Sequence, residues 1–150
     1  MATYDLQPEM SVGAVAEAMV EAMKSGKYPF VMCNLAPPDM VGHTGVYDAT
    51  VLACEATDKA IGAILRGCEQ NGYVLLVTAD HGNAETMIDG NGKPVTKHTT
   101  NKVPFYMTGG SHTFGPYEGS PGLSDVAPTV LDLMGVELPP QMTGKSLLVK

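Results

Sequence analysis

An α/β fold with a mostly parallel sheet is what this 150-residue sequence predicts, and three observations predict it. The first is the apolar run Val74-Leu75-Leu76-Val77, which breaks off into Ala79-Asp80-His81-Gly82-Asn83. A buried strand that delivers polar groups to its carboxyl end has this pattern. The second is a pair of long segments, 11–25 and 47–70, with apolar residues at helical spacing. The third is their order. A predicted strand over 30–35, the helix over 47–70 and the strand at 74 form a βαβ unit, normally right-handed and parallel. Ligands of such sheets bind at the carboxyl ends of the strands.

Composition sets the frame. A chain of this length makes one domain that buries roughly 70% of its unfolded surface. Its 44% apolar content predicts a soluble globular protein. The formal charge of −7 argues against a nucleic-acid partner, because phosphate backbones require a basic face. No apolar run reaches the length of a membrane span. Residues 1–6 carry neither a basic region nor an apolar one, so no signal peptide is expected. Cys33, Cys54 and Cys68 lack zinc-like spacing, and Cys54 and Cys68 lie too far apart on one predicted helix to bridge. All three are expected to be reduced core or boundary residues of a cytoplasmic protein.

Residues 1–10 read as an extended lead-in closed by Pro8. In the helix over 11–25, Val12, Val15, Ala16, Met19, Val20 and Met23 fall on one face. Ser11 stands at the N-cap position and Gly26 at the stop. After the strand over 30–35, Pro37 and Pro38 end the extended chain, and Gly42 and Gly45 loosen the loop beyond it. Asp39 and His43 are four apart, so one helical turn places them on one side. Across 47–70, Val51, Cys54, Ile61, Ile64, Leu65 and Cys68 form the expected buried face. Asp48, Glu55, Asp58, Lys59, Arg66 and Glu69 face solvent, and Asn71-Gly72 ends the helix. Residues 89–94 predict a tight exposed turn. A short strand over 103–107 has Pro104 near its start. Residues 109–122 are loop, and Ser124 or Asp125 caps a helix to about Met134, ended by Gly135. The tail to Leu148 is expected to be packed and irregular.

Three of the four histidines, His43, His81 and His98, flank predicted strands, and Asp39 and Asp80 accompany two of them. Histidine with carboxylate suits zinc, manganese, cobalt or iron, and magnesium less well. Two neighbouring metals could hold a phosphate oxygen and activate an oxygen nucleophile. A lone histidine is more often a hydrogen-bonded core residue, but five such groups at strand ends favour a metal. His112 has no matching carboxylate and receives no role.

These residues stand in four ordered motifs: Ala36-Pro37-Pro38-Asp39-Met40-Val41-Gly42-His43-Thr44-Gly45, Thr78-Ala79-Asp80-His81-Gly82-Asn83-Ala84-Glu85, Lys97-His98-Thr99-Thr100 and Leu123-Ser124-Asp125-Val126-Ala127-Pro128-Thr129-Val130-Leu131. Together they resemble cofactor-independent phosphoglycerate mutase, of the alkaline-phosphatase-like superfamily, over essentially the whole chain. The resemblance implies a three-layer α/β/α architecture, present here as a partial domain. It implies that Asp39, His43 and His98 hold one divalent metal and that Asp80 and His81 belong to a second. Manganese is the first expectation, magnesium or cobalt the alternatives, with no bisphosphoglycerate cofactor. Such an enzyme interconverts 3-phosphoglycerate and 2-phosphoglycerate through a phosphoserine.

The family's serine motif, a further metal-binding aspartate and the inserted transferase domain have no counterpart in the sequence. Ser11, Ser25, Ser111, Ser120, Ser124 and Ser146 lie outside any such motif. Residues 1–150 are therefore expected to be the C-terminal portion of the metal-binding phosphatase domain. By itself that portion should be catalytically inactive and should self-associate through surface that the rest would cover. Two other readings stand beside this one, an autonomous metal-binding module and a weak metal-dependent phosphatase. An upstream in-frame serine motif would separate the mutase from the module, and phosphate release from p-nitrophenyl phosphate with manganese would mark the phosphatase.

Overall fold

Helix α1 (Val12–Lys24) and helix α3 (Tyr47–Asn71) build the larger part of the core. The computed structural model describes residues 3–117 and 119–149, so Met1 and Ala2 of the lead-in lie outside the described residues. The chain divides into two compact units, Met1–Thr108 and Gly109–Lys150.

The apolar stripe of α1 packs as its spacing predicts. Val12, Ala16 and Met23 are buried against Ala60, Ile64 and Cys68 of α3, with Met19 and Val20 partly buried beside them. Gly67 sets how closely the helices approach. A Cβ there would stand 2.8 Å from Met23 Cε and 2.9 Å from Val20 Cγ2. The Cys68 thiol lies 3.5 Å from the Met23 sulfur. Burial, and then the nearby Glu69 carboxylate, push this thiol's pKa up, which suits an inert reduced core residue. Gly26 ends α1 as expected, with φ +62° and its N–H donated to Met23 O. Ser11 stands at the N-cap without a hydroxyl cap bond.

Helix α3 buries Ile64 and Cys68 and half-buries Ile61 and Leu65 as expected, but its first half turns a row of small residues inward. Ala49, Thr50, Ala53, Ala60, Ile64, Gly67 and Cys68 face inward, whereas Val51 and Cys54 are exposed. The row of small residues lets neighbouring backbone come close. At about 100° per residue, Val51 and Cys54 then fall on another side. The six charged positions expected in solvent are exposed. Gly72, at φ +73°, closes the helix.

Strand β1 (Leu75–Thr78) pairs with β2 (Phe105–Thr108), and the pairing is antiparallel, Leu75 opposite Thr108 and Thr78 opposite Phe105. Leu75 and Val77 of β1 join the α1–α3 core. The expected strand over 30–35 forms no ladder among the described residues. It keeps the alternation of a strand all the same. Val31, Cys33 and Leu35 pack on the core, while Phe30 and Met32 are exposed. Its side chains therefore behave as predicted, but the parallel partnership with β1 does not form. The Tyr73 hydroxyl, bonded to Tyr28 O, ties this segment to the start of β1. Residues 89–94 form the expected hairpin tip, with Asp89 Oδ1 accepting the N–H groups of Asn91 and Lys93.

In the second unit a 3-10 turn, Leu123–Asp125, runs into α4 (Val126–Leu133), and Gly135 ends it at φ +66°. Asp125 organises the unit. Its Oδ2 accepts from Gly122 N–H and the Tyr117 hydroxyl, and its Oδ1 accepts from Lys145 N–H. One turn on, the Thr129 hydroxyl donates to Asp125 O and accepts Leu147 N–H. The irregular tail is thereby fixed, and it pairs Leu148 with Phe114 of the preceding loop. Among the described residues no helix is long and apolar enough to cross a membrane.

Candidate metal centre

Helix α2 (Pro37–Gly42) places the first two candidate ligands. Prolines at its first positions have no N–H to leave unpaired. Asp39 lies in its first turn, and His43, at the C-cap, donates its N–H to Asp39 O. Val41, fully buried against Ala49 and Ala53, anchors α2 on the small-residue face of α3.

The other histidines arrive on two stretches of irregular chain. After β1 the backbone turns through Asp80 and His81 to Gly82, which forms an antiparallel bridge with Thr99. Thr99 N–H donates to Gly82 O at 2.8 Å. This bridge sets His98 beside His81, their rings stacked at 3.6 Å between centroids and 19° between planes.

Three donor atoms converge. His43 Nε2 lies 3.0 Å from His98 Nε2, and Asp39 Oδ1 lies 3.2 Å from the first and 3.3 Å from the second. Atoms bound to one ion at 2.0–2.2 Å stand about 2.8–3.6 Å apart at right-angled to tetrahedral geometry. The chemistry of the donors agrees with the spacing. His43 Nδ1 is 2.9 Å from Thr96 O, which can only accept, so Nδ1 carries a proton and in the neutral ring Nε2 is the nitrogen available to a metal. A carboxylate oxygen and imidazole lone pairs gathered in one small volume suit a cation. The residues present therefore fit a divalent metal.

The remaining candidates stand farther out. His81 Nδ1 is 4.0 Å from Asp39 Oδ1, and His81 Nε2 is 3.6 Å from Asp80 Oδ2. The Asp80 side chain is 82% exposed, against 34% for Asp39. The structure thus brings Asp39, His43 and His98 together, sets His81 at their edge and leaves Asp80 facing solvent. His112 lies in the second unit and is exposed.

Sequence reasoning passes over the polar groups that support this cluster. Asn83 Nδ2 donates to Asp39 Oδ1 at 2.7 Å and Asp39 O at 3.3 Å. Glu85 accepts Asn83 N–H, the Thr99 hydroxyl and the Asn101 amide. The Thr99 hydroxyl, more than the other donors, holds the Glu85 carboxyl below the usual carboxylate range. The available signal is the polar residues that follow each histidine, Asn83 and Glu85 after His81 and Thr99 to Asn101 after His98, where strand formation alone calls for none.

The sequence matches the Metalloenzyme superfamily over residues 1–138. It is 54% identical to a 2,3-bisphosphoglycerate-independent phosphoglycerate mutase of Caenorhabditis elegans, an alignment covering 100% of this chain and 28% of that protein. The corresponding enzyme of Agrobacterium fabrum is 52% identical over 99% of this chain and 29% of its own length. A solved structure of Leishmania mexicana phosphoglycerate mutase, at low cobalt concentration, superposes with a TM-score of 0.91 at 33% identity. That match covers 99% of this chain and 30% of the other. The chain thus spans under a third of the length of the curated relatives it matches. By its sequence match, its partial α/β domain and its cluster of three converging donors, the chain belongs to the Metalloenzyme superfamily.

Proposed function

We propose that this chain is the metal-ligating C-terminal portion of the phosphatase domain of a phosphoglycerate mutase, which interconverts 3-phosphoglycerate and 2-phosphoglycerate through a phosphoserine. The observation that carries the proposal is the convergence of Asp39 Oδ1, His43 Nε2 and His98 Nε2 within hydrogen-bond distance of one another. The relatives' names supply the reaction class.

In this reading Asp39, His43 and His98 hold one divalent cation, and Asp80 and His81 contribute to a second. Manganese is the preferred ion, with magnesium or cobalt as alternatives. When bound, such cations supply Lewis-acid stabilisation to charge on a transferring phosphoryl group. The chain's own residues set the geometry. Thr96 O fixes the His43 tautomer, and the Gly82–Thr99 bridge carries His98 to its place. None of the six serines matches the family's serine motif, so the chain on its own should bind metal without running the mutase cycle. We place the protein in the cytoplasm and expect the 150-residue chain to self-associate, since Phe30 and Met32 lie exposed on a strand-like segment that forms no ladder among the described residues.

Manganese titration by calorimetry, run beside a mutase assay on the same sample, tests the proposal. The expected result is about one equivalent bound without turnover. Absence of binding removes the metal centre. Turnover of phosphoglycerate would overturn the expectation of inactivity, and phosphate release from p-nitrophenyl phosphate alone would favour a metal-dependent phosphatase.

A further inference from the structure

We propose that Asn83 and Glu85 are positioning residues of this centre: they strap the segments carrying Asp39, His81 and His98 into one arrangement. The inference rests on the reading of the cluster as a metal centre. These segments come from separate parts of the sequence, and a ligand set works only when its members are held to within a fraction of an ångström.

Asn83 acts on Asp39. Both bonds of its amide nitrogen go to that residue, one to the backbone oxygen and one to Oδ1, the oxygen that faces His43 and His98. Asn83 is 4% exposed, and its own Oδ1 is buried with no hydrogen-bond partner among the described residues. A buried orphan acceptor is unfavourable. The orientation is nevertheless decided, because reversing the amide would turn its oxygen toward two acceptors on Asp39. Gly42 leaves the room this requires, since a Cβ there would stand 2.7 Å from Asn83 Oδ1.

Glu85 acts on the two irregular segments. Its Oε2 accepts the N–H of Asn83 at 2.7 Å, and its Oε1 accepts from the Thr99 hydroxyl and from Asn101 Nδ2 at 2.9 Å. Thr99 adjoins His98, and Asn83 lies two residues beyond His81. One carboxylate thus clamps the Gly82–Thr99 bridge from the side. Gly82 makes this possible, because a Cβ there would overlap both Thr99 Oγ1 and Glu85 Oε1. With both oxygens engaged by donors, Glu85 serves as a strap and not as a ligand.

Calorimetry with manganese on the 150-residue chain provides the test, comparing wild type, Glu85→Ala, Glu85→Gln and the hairpin-tip variant Asp89→Ala. Loss of a group bonded directly to a metal ligand weakens affinity by about 10–100-fold; Glu85 acts one contact farther out, through Asn83 and Thr99, so Glu85→Ala is expected at the lower end, about 10-fold. Glu85→Gln should recover part of the loss, and Asp89→Ala, which removes only turn hydrogen bonds, should stay within about twofold of wild type. A Glu85→Ala chain that remains folded by circular dichroism and binds as wild type does overturns the proposal. If Glu85→Ala does not fold, Glu85→Gln is judged by the same criterion. If the wild type binds no manganese, the metal reading falls separately. The strap is then judged on the imidazole nitrogen shifts of His81 and His98 in the metal-free chain. Shifts that move in Glu85→Ala but not in Asp89→Ala support it, and unmoved shifts overturn it.

Discussion

Two aspartates, one in each unit, face opposite problems. Asp125 is 5% exposed and surrounded by donors: two backbone N–H groups and a tyrosine hydroxyl. Asp39 has one amide donor among the described residues, and its Oδ1 otherwise faces the Nε2 atoms of His43 and His98. The first carboxylate is completed by its own chain. The second keeps an oxygen turned toward the two histidines, the place the proposed cation would take. The same side chain is thus a structural hub or a candidate ligand according to whether backbone N–H groups or imidazole rings surround it.

The widest gap between the two should appear on removing Asp39. Asp39→Ala takes away the one anionic member of the trio, and its effect on manganese affinity should exceed the roughly 100-fold upper range for outer partners. Calorimetry checks this directly. A variant that still binds the first equivalent as tightly as wild type would place the metal elsewhere.

Asp125 should show its effect in stability. Asp125→Ala leaves Gly122 N–H, Lys145 N–H and the Tyr117 hydroxyl without their acceptor, for a loss of about 3 kcal/mol. Amide exchange at Lys145 and Gly122 reads it out. Acid should act in the same direction. The Gly122 and Lys145 N–H groups hold the Asp125 carboxyl below the ordinary range. A depressed folded pKa means that the stabilisation is complete above the unfolded value and is lost as pH falls through the folded one. Protection of these amides should therefore persist through the normal aspartate range and fail only at lower pH. Failure already at mildly acidic pH would contradict the assigned role.

Gly42→Ala sharpens the contrast from the other side. Alanine normally favours a helix over glycine by about 0.5–1 kcal/mol, yet here the added Cβ meets Asn83 Oδ1 at 2.7 Å. The amide must move, and Asp39 loses its fixed rotation. We expect a folded chain with manganese affinity reduced about tenfold, within the range for outer partners. Unchanged affinity would mean that Asn83 does not set the carboxylate.

Legibility from the sequence divides in the same way. The α1 stripe, the glycine stops and the Asp39–His43 turn are local, governed by helical spacing, and could be read directly. Ala49, Ala53, Ala60 and Gly67 are inward-facing because α1 and α2 come close, which no property of α3 alone reveals, so Val51 and Cys54 look buried and are not. The antiparallel pairing of β1 with β2 is likewise a long-range choice. At the centre, histidines and aspartates announce themselves by type. Asn83 and Glu85 do not, because their role exists only once the Gly82–Thr99 bridge has formed.

The smallest effect is expected at Asp80, and the reason separates the two proposed metal positions. Asp80 is adjacent to His81 in sequence, yet its carboxylate faces solvent, 3.6 Å from His81 Nε2 and outside the trio of converging donors. An exposed charge at that distance adds little to a cation held by Asp39, His43 and His98, because water screens it. Asp80→Ala should therefore change the first manganese affinity by less than about threefold while Asp39→Ala removes it. Any weak second equivalent, on the other hand, should disappear with Asp80. Equal losses in the two variants would show that the five residues form a single shared site, and the ordering of a strong first position and a weak second one would have to be abandoned.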